Sequence, residues 1–166
     1  MNVKSYFVLL LVLGATLLSG CGFQLRGKGT ELTNIKVYLE TANDNAKFER
    51  SLKRQLTYQG AELVKEKQQA QAILVIGDYF TEKRTVARDS LGRASELELI
   101  FNVHYLLSSS KDKAQPSPKK MISRREFAYE RNLQAGQENE QSRLESDMHQ
   151  EIIGRLLLQL AQVDRR

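Results

Sequence analysis

Cys21 is the only cysteine in the chain, and it closes the tetrapeptide Leu18-Ser19-Gly20-Cys21. Upstream lie Lys4 and the apolar run Phe7 to Leu13, the size of a signal-peptide core and too short to span a bilayer. Small residues followed at once by a cysteine have the form of a bacterial lipobox. At such a site diacylglycerol alkylates the thiol, the peptide is cut before the cysteine, and the new amine is acylated. On this reading residues 1–20 are a cleaved leader, and residues 21–166 form a single domain lipid-anchored at Cys21. A fully acylated cysteine buries tens of methylenes at about 0.8 kcal/mol each, so such an anchor is effectively permanent. In lipoprotein sorting an Asp after the cysteine favours the inner membrane. Gly22 stands there, which predicts the outer membrane, with the domain on the periplasmic side.

Basic residues are the second group with chemical potential. Lys83, Arg84, Arg88 and Arg93 surround the predicted turn Asp89-Ser90-Leu91-Gly92. Lys111, Lys113, Lys119 and Lys120 belong to a polar loop, and Arg124, Arg125 and Arg131 to the strand that leaves it. Gathered at one end of a sheet, several of these would make a phosphate-binding patch in which Arg supplies paired donors. A solvated surface balanced by acidic neighbours is the plainer alternative.

Other chemistries are not signalled. His104 and His149 lack acidic partners at ligand spacing, and His149 reads as an edge residue beside a helix stripe. Glu138, Glu140 and Glu145 fall in the first turns of the last predicted helix, where its dipole favours carboxylates. The chain has no zinc-protease helix motif, phosphate loop or nucleophile elbow. The expectation is a protein that is not an enzyme, with no catalytic residues, cofactor or metal. Nucleic acid is a poor partner as well. The formal net charge of the whole chain is only +5, and export removes the opportunity.

The elements that must position these groups follow from periodicity. Ile35, Val37 and Leu39 alternate as a short strand. Phe48, Leu52 and Leu56 recur every four residues in an amphipathic helix, with Glu49, Arg50, Lys53 and Arg54 between them. Asn43 or Asp44 is its expected N-cap, and Gly60 supplies its left-handed end. Ala72 to Phe80 is an apolar strand. Leu97, Leu99, Phe101, Val103, Tyr105 and Leu107 keep period two through the clearest strand in the chain. Ser108 to Lys120 is a flexible loop, and Met121, Phe127 and Tyr129 mark the return strand. Leu144, Met148, Ile152, Leu156 and Leu160 give a long helix from Glu138 to Val163. The predicted fold is α+β: a two-layer sandwich of a largely antiparallel four-stranded sheet with two helices packed on one face.

Three segments carry a family resemblance: Cys21-Gly22-Phe23-Gln24-Leu25-Arg26-Gly27, Leu91-Gly92-Arg93-Ala94-Ser95-Glu96-Leu97, and Glu138-Asn139-Glu140-Gln141. In this order after a lipobox they resemble the LptE (RlpB) family of outer-membrane lipoproteins, across essentially the whole mature chain. The resemblance implies a non-enzymatic plug in a one-to-one complex with the β-barrel translocon LptD, which it helps to assemble. It also implies binding of lipopolysaccharide during insertion into the outer leaflet. Ligand-binding cations are expected on the turn after the second strand, where Arg88 and Arg93 stand, and just before the last helix. There the sequence has Gln137 where a lysine is expected, which leaves Lys120, Arg124 and Arg125 to supply charge. The competing reading is a periplasm-facing lipoprotein that serves as scaffold or pilot for another envelope complex.

Overall fold

A computed structural model describes residues 32–43, 45–111, 115–129 and 134–164. In chain order the elements are β1 (Lys36–Thr41), α1 (Lys47–Tyr58), β2 (Glu62–Val64), a 3-10 turn (Lys67–Gln69), β3 (Ala72–Arg88), β4 (Ala94–Ser109), β5 (Lys119–Ala128) and α2 (Gln134–Asp164). The strands form one sheet in the order β2-β1-β3-β4-β5. Strand β1 pairs in parallel with both β2 and β3, while β3, β4 and β5 form a long antiparallel meander. Residues of both helices join the inward sheet residues in a single core, so the two-layer α+β arrangement is as expected.

The sheet has five strands rather than four, and its short side is parallel. The additional strand is β2, whose three residues carry no buried alternation. Its position comes from the turn before it. Gly60 adopts φ 88°, its N–H donates to Thr57 O at 3.0 Å, and the Ala61 N–H donates to Leu56 O at 3.0 Å. This Schellman pattern stops α1 and sends the chain back beside β1, where the Glu62 N–H reaches Ile35 O at 2.8 Å.

At the other end of α1 the expected cap is replaced. The N-cap is Ala46, with no side-chain hydrogen bond. Asn43 instead accepts from the Asn45 N–H at 3.2 Å in its own turn, and Asp44 lies outside the described residues. Glu49, expected among the outward residues, is fully buried. One carboxylate oxygen accepts from the Tyr79 hydroxyl at 2.8 Å, and the other has no partner among the described residues. Burial first, and then Glu49, push the Tyr79 hydroxyl up to about 12. Placement in the first helical turn gives the Glu49 carboxylate the favourable end of the α1 dipole.

Strand β4 is the centre of the core. Leu97, Leu99, Phe101, Val103, Tyr105 and Leu107 all point inward and are buried. Met148, Ile152, Leu156 and Leu160 of α2 face them with no exposed surface. His149 is half-buried beside the stripe, as an edge residue is. Its ring lies 4.4 Å from Phe101 and 5.4 Å from Phe48, within an aromatic cluster joining both helices to the sheet. Helix α2 starts at Gln134, earlier than predicted, so Glu138, Glu140 and Glu145 all lie beyond its first turn and their dipole account lapses.

A polar network ties the edge strand β5 to α2. Glu151 accepts from the Ser123 hydroxyl and from Arg125 Nη2, each at 2.8 Å, and also pairs with Arg155. Arg155 donates to the Ile122 carbonyl at 2.9 Å, and Arg125 to the Arg124 carbonyl at 2.7 Å. Burial raises the affinity of Glu151 for a proton, but the bonds from Ser123 and Arg125 and the two arginine charges outweigh it and hold the carboxyl below 4.5.

Leu156→Ala should cost about 2–5 kcal/mol in chemical denaturation, because it empties a fully buried site. A change within about 0.5 kcal/mol is what surface positions give, and would place that face of α2 outside the core.

Acid should destabilise the fold in two windows. Burial first, with the Lys47 charge beside it and Glu145 opposing, holds His149 below its usual 6.5. Its contribution is therefore complete above 6.5 and is lost as pH falls through the lowered folded value; that of Glu151 is complete above 4.5 and is lost below it. His149→Phe should flatten the thermal midpoint between about pH 7 and pH 5. Glu151→Gln should be less stable than the parent at neutral pH, by a margin that narrows in acid. Parallel pH profiles for parent and variants would contradict both assignments.

Candidate functional site

Arg88 and Arg93 are positioned by the tip of the β3–β4 hairpin. Asp89 organises that tip. One carboxylate oxygen accepts from the N–H groups of Leu91 and Arg93 at 2.9 Å each, and the other from Arg93 Nε at 2.7 Å. The Arg93 N–H first, then its guanidinium and the Leu91 N–H, hold the Asp89 carboxyl below the usual range against the opposing effect of burial. Gly92 takes φ 74°, and its N–H closes the turn on Asp89 O at 2.9 Å. Arg88 then donates to Gly92 O at 2.9 Å, so both arginines are held against the loop they flank. Leu91 projects from the same tip with 72% of its surface exposed, and Val86 is exposed nearby. Cations beside exposed aliphatic side chains suit an amphipathic anion: a phosphate and the hydrocarbon attached to it.

The remaining sequence candidates are elsewhere. Arg124 sits in the middle of β5, opposite Ile100, on the sheet face that carries no helix. There Glu98, with a side chain only 4% exposed, pairs with Arg84 and stands 3.8 Å from Arg124. Glu126 lies directly across from Glu98, and Glu82 across from Ile100. Arg124 thus belongs to a surface of alternating charge rather than to a basic patch. Arg125, one residue on, points to the opposite face and is committed to Glu151 at 2.8 Å. Lys120 pairs with His104, ten residues beyond the start of β4, and is therefore roughly 33 Å along the strand from the hairpin tip. Arg88, Arg93, Lys120, Arg124 and Arg125 are therefore not gathered at one end of the sheet. Only the first two share a locus. Cys21 lies outside the described residues.

A further cation stands where the sequence has Gln137 in place of lysine. Lys83 of β3 faces inward and donates to Gln141 Oε1 of α2 at 2.7 Å. With Leu97, Phe127, Tyr129 and Gln137 it lines a cleft of about 200 Å3 between the hairpin and the start of α2. Sequence reasoning placed Lys83 only among the charges around the turn. The signal for its inward aspect was its even spacing from Thr81 and Thr85, which pair with Phe101 and Leu97 across the ladder.

Among the described residues no group of three or more His, Cys, Asp or Glu could hold a metal ion, and no helix is long and apolar enough to cross a membrane.

Solved structures share the fold. Rare lipoprotein B from Shewanella oneidensis superposes with a TM-score of 0.71 at 18% identity, covering 78% of this chain and 96% of the other. Lipoprotein B from Nitrosomonas europaea gives 0.69 at 24% identity, covering 84% and 90%. A minor lipoprotein from Acinetobacter baumannii gives 0.62 at 17%, covering 79% and 93%. No curated protein matches the chain. The LptE lipopolysaccharide-assembly family matches residues 36–160, from the first strand to the last buried turns of α2, and the chain belongs to that family.

Proposed function

We propose that the protein is an outer-membrane lipoprotein, acylated at Cys21, that plugs and helps assemble an LptD-like β-barrel in a one-to-one complex. It contacts lipopolysaccharide through the β3–β4 tip during insertion into the outer leaflet. Membership of a lipopolysaccharide-assembly family supports the process. The observation that carries the ligand site is the tip itself, where Arg88 and Arg93 are fixed beside the exposed Leu91. Phosphates on the lipid A moiety match the guanidinium donors, and its acyl chains match the leucine. The role requires an anchor, a compact body and a shaped tip, and no catalytic group.

Purification of the full-length protein from its native outer membrane in mild detergent tests the partner. A near-stoichiometric barrel is expected. A membrane-bound protein recovered without a barrel, or with a secretin or peptidoglycan, would transfer the assignment to the scaffold reading. The mass of the N-terminal peptide should show Cys21 acylated and residues 1–20 removed.

The ligand site is tested separately. Charge-assisted hydrogen bonds contribute about 1.5–3 kcal/mol each, so Arg88→Ser with Arg93→Ser should weaken lipopolysaccharide binding about tenfold or more at matched ionic strength. Arg124→Ser should leave it nearly unchanged. The reverse pattern would move the site to the open sheet face.

A further inference from the structure

The end of the sheet opposite the hairpin tip carries a second feature. There β4, the start of β5 and the last turns of α2 border a cleft of about 260 Å3, far larger than the roughly 15 Å3 that one water needs. Leu107 and Val163 are its apolar lining. Its polar lining is Ser108, Ser109, Lys119, Gln159 and Gln162.

Several of these side chains can donate. The Tyr105 hydroxyl donates to Gln159 Oε1 at 2.8 Å, which orients the amide and leaves its NH2 as the donor end. Ser109 Oγ accepts from the Lys111 N–H at 3.2 Å, so the hydroxyl proton remains available. Lys119 adds an ammonium, a donor and never an acceptor. Among the described residues that line it, none is a carboxylate. The ammonium of Lys119 and the side-chain donors beside it suit a tetrahedral oxyanion with many acceptor oxygens.

Position identifies the source of that anion. Ser109 pairs with Ala72 at the start of β3. The neighbouring Gln71 exchanges two 2.8 Å hydrogen bonds with Lys36, at the start of β1. The first described residue, Leu32, is hydrogen-bonded to Gln59 and lies just before this point. From Leu32 back to Cys21 the chain can extend roughly 36 Å, so an acylated Cys21 would keep this end of the domain near a bilayer surface.

We propose that the cleft binds the phosphate monoester of an anionic lipid headgroup and so orients the domain on its membrane. Its lipid source rests on the anchored reading above; its phosphate chemistry does not. The test follows the side-chain amide resonances of Gln159 and Gln162 in the full-length protein. They are recorded in neutral detergent with glycerol 3-phosphate or inorganic phosphate, and in phosphatidylcholine nanodiscs with or without phosphatidic acid.

Both resonances should shift saturably with glycerol 3-phosphate and with phosphatidic acid. Lys119→Gln should weaken binding about tenfold, as loss of a charged hydrogen bond does. Tyr105→Phe keeps the ring in the core and frees the Gln159 amide, so it should weaken binding with little change in thermal midpoint. Shifts with inorganic phosphate alone would overturn the lipid source. Silence with all the probes would overturn the site. A missing acyl mass on Cys21 would defeat the anchored reading by itself, while the glycerol 3-phosphate titration still decides the cleft. Unchanged affinity in Tyr105→Phe would remove Tyr105 as a positioning residue.

Discussion

The fold depends on the period-two side-chain ladder of β4. Side chains on a strand alternate between faces, so a slip of one residue would carry Leu99, Phe101, Val103 and Tyr105 from the core to the open face. Burial under α1 and α2 therefore pins β4, and β4 in turn sets the register of β3 on one side and β5 on the other. The long hairpin inherits its direction from this. The polar second half of β3, from Thr81 to Arg88, has little apolar character of its own and is held extended by the strand beside it. What reaches the tip, Arg88 and Arg93 included, is placed there by packing several turns of α2 away.

The same alternation explains the open face. Glu98, Ile100 and Asn102 sit between the inward residues of β4 and are buried although no helix covers them. Their cover comes from long side chains on the flanking strands, among them Arg84, Phe80, Ile122 and Arg124. Lysine and arginine stems are well suited to this, since they lie along apolar surface while the charge stays wet. Removing a carboxylate such as Glu98 from water is tolerable because arginines approach it from both sides. Charge on this face is thus largely spent on the sheet's own order, and the unbalanced chemistry lies at the two ends.

Much of this was legible in the sequence. The alternation of Leu97 to Leu107, the four-residue rhythm of Leu144 to Leu160, the Asp89–Gly92 turn and the left-handed Gly60 each carry a local physical signal. The α+β class and the single helical layer follow from them. Strand β2 was not legible, because its three residues are ordered by the turn at Gly60 and by pairing with β1 rather than by a pattern of their own. Nor could the burial of Glu49 be read from its neighbours, since it depends on a hydroxyl thirty residues away. Of the basic residues, Arg124 and Arg125 had to face opposite sides of a strand, and that much period two already required. Which acid each would meet depended on the cross-strand register and on how α2 lies over β5.

The capped edge of β5 has a consequence for strand addition. An edge strand offers unpaired carbonyls and N–H groups to any chain that can align with it. On β5 the carbonyls of Ile122 and Arg124, two residues apart and so on the same side of the strand, are already engaged by Arg155 and Arg125. At the other edge β2 is too short to serve as a template. With two carbonyls of one margin engaged and the other margin only three residues long, the sheet offers a poorer template for strand addition than the length of β5 alone would suggest.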